Sequence, residues 1–455
     1  MRKKWNRVIS IALVVILSVA LAAGCGSSGN SESNEKEGAD KSGASDSGKS
    51  HKVVVFTLKA TGSLVESVDA FMESIADGLN FAYEVRFAGD DAATLLSNVE
   101  SAIAEGYDGI ISMTDKGNNA AILELCAENE VYFGGTWSNQ ASSLNSSEAG
   151  YDILKNAYYV GAIADGNDSY NEEIEIYAER VAEEYEALDD LEKEGSIGIT
   201  TNPAKWTPGQ QIAAENMYEA LISEYQIPES AFATETIEKR AEDESYAGQT
   251  LAAGTWQFPQ VDVSSKALPG AYFQSNSNLK LICSFASITY IEPALQMSGL
   301  HGKAKVWTCG YEAEDYLVNN FGTQGNQTYQ GFRTAPIEAV AFPLVQILDK
   351  LNSNSYADKE EQTASLIEVM DSEMGAKFKL KDYMIPYSSS IIVTTDEQFA
   401  KFKDGYVYGT ANGEDSIVTA DDLKALMVTY NEQASYESLM EFFDESGHLK
   451  VDALQ

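Results

Sequence analysis

From Lys52 onward the chain alternates short apolar runs with amphipathic stretches. Val53-Val54-Val55-Phe56 is continuously apolar, the pattern of a strand covered on both faces. Ser63 to Asp77 reads as a helix, and Tyr83 to Phe87 as the next strand. Asp90 and Asp91 offer caps for a helix whose apolar stripe is Leu95, Leu96, Val99, Ala102 and Ile103, and Gly106 stops it. A strand over Gly109 to Met113, a helix over Asn118 to Glu128 and a strand at Val131 to Phe133 complete the series. Strands and helices alternating at this spacing predict right-handed βαβ units around a parallel sheet.

The pattern then restarts. After Tyr158-Tyr159-Val160 comes a long acidic helix, Tyr170 to Leu188. A second series follows: strand Ser196–Thr200, a helix from Gly209, strand Phe232–Thr236 and a helix from Tyr246 to Ala253. Strand Leu279–Cys283, helix Ser287–Met297 and strand Lys305–Cys309 come next, then strand Thr328–Phe332 and a helix from Pro336 to Leu351. The polar stretch Asn352 to Lys381 supports no assignment. Ser390 to Thr394 reads as a late strand, Thr419 and Asp422 as a capping box before a helix over Leu423 to Tyr430, and Tyr436 to Phe443 as a last helix. Two α/β series predict two lobes, each with its own sheet. Ligands of open α/β sheets lie outside the carboxyl ends of the strands.

The amino-terminal fifty residues follow a different logic. Arg2, Lys3, Lys4 and Arg7 precede an apolar run from Val8 to Ala23, the shape of an export signal over residues 1–24. The run ends Leu21-Ala22-Ala23-Gly24-Cys25, which resembles a bacterial lipobox and implies that Cys25 carries a diacylglycerol. In Gly26 to Ser50, 13 residues are Gly or Ser and the rest are Asn, Ala, Glu, Asp and Lys. Such a tether buries no core and spans roughly 25–30 Å as a flexible coil. Anchor and tether over 25–51 place the folded part on the outer face of a bacterial cytoplasmic membrane.

Composition narrows the function. The 44% apolar content of the 455 residues is enough for large cores. Seventy acidic residues against 31 basic ones give a net charge of −39, which excludes nucleic acid as a partner. Besides Cys25 there are Cys126, Cys283 and Cys309, read as buried thiols, with a Cys283–Cys309 bridge as the alternative. The three histidines, His51, His301 and His448, lie in no motif, and there is no G-x-S-x-G or G-x-x-x-x-G-K. A carboxylate-pair glycosidase leaves no spacing signature and stays open. Asp165-Gly166-Asn167-Asp168-Ser169 is a partial match to a calcium loop but has Tyr170 where Gly is required, so a hinge loop is the favoured reading. No metal, cofactor or catalytic residue is expected.

Three segments carry a family resemblance. Ala104-Glu105-Gly106-Tyr107-Asp108-Gly109-Ile110-Ile111-Ser112 resembles the G-x-D-G-I-I-I segment of ribose- and galactose-type solute-binding proteins of ABC transporters. Cys309-Gly310-Tyr311-Glu312 resembles that family's G-F-D turn, and Leu295-Gln296-Met297-Ser298-Gly299 its A-L-x-x-A-G helix end. The resemblance implies the type I periplasmic-binding-protein fold, α/β, with two Rossmann-like lobes joined by three crossover strands. It also implies a monomer that captures a small ligand, a sugar or oligosaccharide, and delivers it to a permease; a lipoprotein signalling to a membrane receptor is the alternative. The implied boundaries are 52–164 plus 334–385 for one lobe and 165–333 plus 386–455 for the other. The matching pocket positions here are Lys59 and Thr61 after the first strand, Trp137 and Ser138 after the fourth, and Trp206, Ser284, Phe285, Glu312, Arg333 and Thr334 from the second lobe and crossing. Trp206, Trp137 and Phe285 are each weighed between ligand stacking and core packing, and Glu312 with Arg333 between ligand contact and a structural ion pair. An aromatic-rich cleft of this kind suits a sugar other than plain ribose, and a nucleoside suits the same rings. Trp256 and Trp307 are read as packing residues.

Overall fold

The computed structural model describes residues 51–443, except 115, 137–152, 154, 166–168, 203–207, 234–237, 247–248, 260–269, 287, 309–314, 323–326, 335–336, 372–386, 389–390 and 403–417. In chain order the first lobe runs β1 (His51–Thr57), α1 (Ser63–Ala76), β2 (Phe81–Phe87), α2 (Ala92–Ala104), β3 (Gly109–Ser112), α3 (Asn119–Glu128), β4 (Tyr132–Thr136) and β5 (Tyr159–Asp165). β1 lies between β2 and β3 and pairs in parallel with both. Its apolar run serves both faces. Val53 and Val55 join a core with residues of α1, while Val54 and Phe56 join one with residues of α2 and α3.

The second lobe holds α4 (Ser169–Glu186), β6 (Ile197–Thr201), α5 (Pro208–Ser223), the short strands β7 (Glu238–Lys239), β8 (Glu244–Tyr246), β9 (Gln249–Leu251) and β10 (Trp256–Gln257), and α6 (Gly270–Ser275). It continues with β11 (Leu281–Phe285), α7 (Ile288–Ser298), β12 (Lys305–Thr308), α8 (Asp315–Asn320) and β13 (Tyr329–Thr334). The expected helix over Tyr246 to Ala253 is not formed: β8 and β9 pair antiparallel there, and β7 pairs with β10. Gly248 and the β-branched Thr250 disfavour helix in that segment. The expected strand at Phe232 reduces, among the described residues, to a single parallel bridge with Ile197.

The chain then returns to the first lobe through a 3-10 turn (Ile337–Val340), α9 (Ala341–Leu351), α10 (Ala357–Asp371) and β14 (Tyr387–Ser388). β15 (Ile391–Val393) and α11 (Asp396–Phe402) go back to the second lobe, where β15 pairs antiparallel with β13. α12 (Ala420–Leu426) and α13 (Tyr436–Phe443) end the described chain. The sheets run β14-β5-β4-β3-β1-β2 and β15-β13-β12-β11-β6.

Two features correct the sequence reading. The polar stretch after Asn352 contains α10, whose partly buried Leu366 and Ile367 pack on the α2–α3 side of the first core. Residues 386–455 were expected with the second lobe, but among the described residues only β15 and α11 lie there. Leu423, Leu426, Tyr436, Leu439 and Phe443 instead enter the first lobe's core with Val68, Met72 and Phe342. The cause is a set of anchors from α9 and the start of α10. Asp349 accepts from the backbone N–H groups of Val428 and Thr429, Asp358 from those of Tyr436 and Glu437, and Tyr356 donates to the Leu426 carbonyl. The Thr419–Asp422 capping box is present as expected.

α9 packs on the first sheet over two glycines that leave it no room for a side chain. A Cβ on Gly134 would stand 2.4 Å from Pro343 Cβ, and one on Gly109 2.5 Å from Ile347 Cγ2. These two glycines set the distance at which the returning helix covers β3 and β4.

Candidate functional site

The carboxyl ends of the parallel strands are lined by small polar residues, nearly all buried. In the first lobe they are Thr57, Ser112 and Thr136, closing β1, β3 and β4. Thr57 Oγ1 donates to the carbonyls of Lys59 and Arg86, and Ser112 Oγ to that of Thr114. Thr136 Oγ1, and Asn119 Oδ1 at the start of α3, are buried with no partner. In the second lobe Thr200 Oγ1 donates to Ser284 Oγ at 3.2 Å, and Thr308 Oγ1 to the Ala286 carbonyl at 3.2 Å. Tyr177 of α4 donates to the Thr308 carbonyl from beneath. Asn202 follows β6 directly and is tied to Gln210 and Gln211 at the start of α5.

The chain crosses between these ends three times: from β5 to α4, from β13 to the 3-10 turn, and from β14 to β15. The first crossing contains residues 166–168, where the calcium-loop match falls; they lie outside the described residues. Both sheets are mainly parallel and carry helices on both faces. The fold is that of a type I periplasmic binding protein.

No protein-family profile matches the sequence, and no curated protein matches it. Solved structures do. An ABC transporter periplasmic solute binding protein from Actinobacillus succinogenes 130z with bound D-allose is 14% identical, with 76% of this chain and 98% of that chain covered and a TM-score of 0.46. A solute binding protein from Burkholderia graminis C4D1M in complex with D-arabinose is 12% identical, with 77% and 96% covered and a TM-score of 0.43. One from Clostridium phytofermentas with bound L-rhamnose is 12% identical, with 67% and 83% covered and a TM-score of 0.41.

Of the residues singled out in the sequence, Lys59 is half-buried and Thr61 exposed in the segment after β1. Ser284 and Arg333 are buried at strand ends, 1% and 0% exposed, and Thr334 ends β13. Trp137, Ser138, Trp206, Glu312, Cys25 and Cys309 lie outside the described residues. Phe285 is packed in this structure. It is 1% exposed and shares a core with Ile199, Cys283 and Trp307, because alternation along β11 turns Leu281, Cys283 and Phe285 to one face. Of the aromatics read as packing, Trp307 is likewise buried, and Trp256 is half-buried with its ring edge-on to Tyr218.

Sequence reasoning missed Asn119, Thr136, Asn202, Gln211 and Glu338. Asn202 was within reach, since it follows a predicted strand and precedes Pro203. Gln211 gave no signal, because a glutamine in the first turn of a helix reads as surface. Glu338 stands on the 3-10 turn just after the second crossing, where the turn packs on β4 and α1. Its Oε2 is buried without a partner, and burial pushes its carboxyl up to about 7.

A cavity of about 260 Å³ opens elsewhere, between α9, α10 and the start of β5. Its polar walls are engaged: Lys359 Nζ donates to Gln346 Oε1 at 2.5 Å and to the Val160 carbonyl. It stands at the amino end of β5, opposite the polar strand ends. His301, 2.8 Å from Glu292, likewise precedes its strand. Among the described residues, no group of three or more His, Cys, Asp or Glu is placed to hold a metal.

Proposed function

We propose that this chain is an extracytoplasmic substrate-binding lipoprotein that captures a small solute, a sugar, between its lobes and delivers it to an ABC importer. The observation that carries the reading is the set of buried, unpartnered hydrogen-bonding groups at the strand carboxyl ends of both lobes: Thr136 and Asn119 in one, Asn202 and Gln211 in the other. Buried polar groups in folded proteins are satisfied, and a ligand held between two sheet ends satisfies groups on both. Three chain crossings between the lobes supply a hinge. The sequence resemblance to ribose- and galactose-type binding proteins points the same way and favours binding over catalysis.

Among the described residues no helix is long and apolar enough to cross a membrane. In this reading the chain is attached through Cys25. Mass spectrometry of membrane-extracted protein tests that step, with a diacylated or triacylated Cys25 as the expected mature terminus. A thermal-shift screen against mono- and oligosaccharides, nucleosides and polyols tests the binding step. A ligand at a hundredfold excess over its dissociation constant stabilises the fold by ~2.7 kcal/mol. Stabilisation by no member of the screen rejects solute capture, and stabilisation without compaction in solution scattering rejects the hinge.

A further inference from the structure

We propose that the cavity between α9, α10 and the start of β5 is a second ligand site, which takes a small organic acid with its carboxylate on Lys359 and its apolar body against Ile153, Val160 and Ile367. The site lies within the first lobe, at the amino end of β5, and is separate from the strand ends proposed for solute capture. Its volume of about 260 Å³ exceeds the ~150 Å³ that admits benzene to an apolar protein cavity.

The charged groups around this cavity differ in what they face. Lys350 and Glu360 pair with each other at 3.1 Å. Asp349 takes three donors from Val428 and Thr429, and Asp358 takes the backbone N–H groups of Tyr436 and Glu437. Lys359 is half-buried and lines the cavity. Its Nζ donates to two neutral oxygens, the Val160 carbonyl and Gln346 Oε1, and stands 4.6 Å from the centre of the Tyr436 ring. The other titratable groups near it are the phenols of Tyr159 and Tyr356.

Neutral dipoles and a ring face compensate an ammonium less fully than a carboxylate does. Lys359 also falls in the first turn of α10, where the helix dipole favours an anion and opposes a cation. Burial, with Lys350 acting in the same direction and Asp358 against it, pushes the amine down to about 7. A carboxylate entering the cavity supplies the opposite charge that this wall favours, while the apolar wall takes the rest of the molecule. An alcohol of the same shape gains the apolar contacts without the charge. Above about pH 7 binding of the acid takes up a proton, so its affinity falls as pH rises.

Isothermal titration of the full chain with benzoate and butyrate, each against its alcohol, benzyl alcohol or 1-butanol, tests this. At about pH 6 the acids should bind at least tenfold more tightly than the alcohols. Between about pH 7 and pH 9 acid affinity should fall by tenfold or more, with proton uptake read from buffers of different ionisation enthalpy. Lys359→Met keeps the aliphatic stem and should lose at least tenfold of the acid affinity while leaving the alcohols unchanged. Ala364→Phe adds a ring to the cavity wall from an exposed position, and should abolish acid binding with Lys359 in place. Equal affinity for acid and alcohol, pH-independent acid binding, or parent-like acid affinity in folded Lys359→Met overturns the proposal. No acid binding at millimolar concentration overturns it as well. Acid binding that survives Ala364→Phe lies elsewhere and also overturns it. Should either variant not fold, the other and the pH slope decide. Every one of these outcomes leaves the solute-binding reading untouched.

Discussion

The carboxylate of Asp349 accepts both the backbone N–H and the hydroxyl of Thr429, at 2.9 and 2.6 Å. With a third bond from the Val428 N–H, at 2.8 Å, it fastens the turn after α12 to α9. Asp349 is 1% exposed, so these donors have little water to fall back on. Asp349→Ala leaves three donors short of a charged acceptor and is expected to cost about 3 kcal/mol. Urea unfolding measures it, and proteolysis should cut first near the terminal helices. A midpoint equal to the parent's removes Asp349 from the anchor.

Glu338 makes stability depend on pH in a defined direction. Burial raises its folded-state pKa to about 7 from the ordinary carboxyl value of 4.5. Between those values the unfolded chain has released the proton while the folded chain keeps it. Stability from this group is therefore full below about pH 4.5, falls as pH rises, and levels off above about pH 7. The total is about 3 kcal/mol at ~1.4 kcal/mol per unit. Glu338→Gln keeps the shape and removes the titration. Its stability gain over the parent should be larger at pH 8 than at pH 5, as read by urea midpoints. An equal difference at the two pH values assigns the acid-range behaviour to other groups.

Gly134 tests how tightly α9 is seated. The alanine Cβ would meet Pro343 Cβ at 2.4 Å and Val160 Cγ2 at 3.0 Å. A proline ring in a helix cannot swing aside, so the helix itself must move. Gly134→Ala is expected to cost about 1–3 kcal/mol, the usual range for overpacking. Thermal unfolding gives the number, and an unshifted transition means that α9 rides freely over the sheet.

The two-lobe plan was legible because the buried strands are largely apolar runs: Val53 to Phe56 and Leu281 to Phe285 are buried throughout and apolar except for Ser284. Helix ends set by local chemistry were legible too, as at Thr419 and Asp422. Long-range attachment was not. Nothing near Tyr436 or Leu439 tells which lobe they cover, because the deciding partners, Asp349 and Asp358, lie about 80 residues upstream. The candidate strand-end groups divide in the same way. Strand-end position alone reaches Ser284, Arg333 and Asn202. Gln211 and Glu338 matter through unpaired oxygens, a property of the packed structure that residue type does not carry.

Phe285 separates a ring that packs from a ring that binds. It closes β11 beside Ser284, a position that the family resemblance gives to the pocket, yet its side chain sits at 1% exposure among Ile199, Cys283 and Trp307. If that packing is its whole role, Phe285→Ala should destabilise the fold by about 3–5 kcal/mol through the cavity it leaves. Phe285→Leu, nearer in volume, should cost less than about 1.5 kcal/mol. The leucine variant should bind whatever ligand the thermal screen finds with an affinity within about twofold of the parent, because no stacking surface is lost. A ring that stacks on ligand behaves in the opposite way, with near-parent stability in the leucine variant and affinity down by tenfold or more, since aromatic anchors in desolvated pockets contribute about 2 kcal/mol or more. Calorimetry of the leucine variant at saturating stability therefore decides on which side of β11 this ring acts.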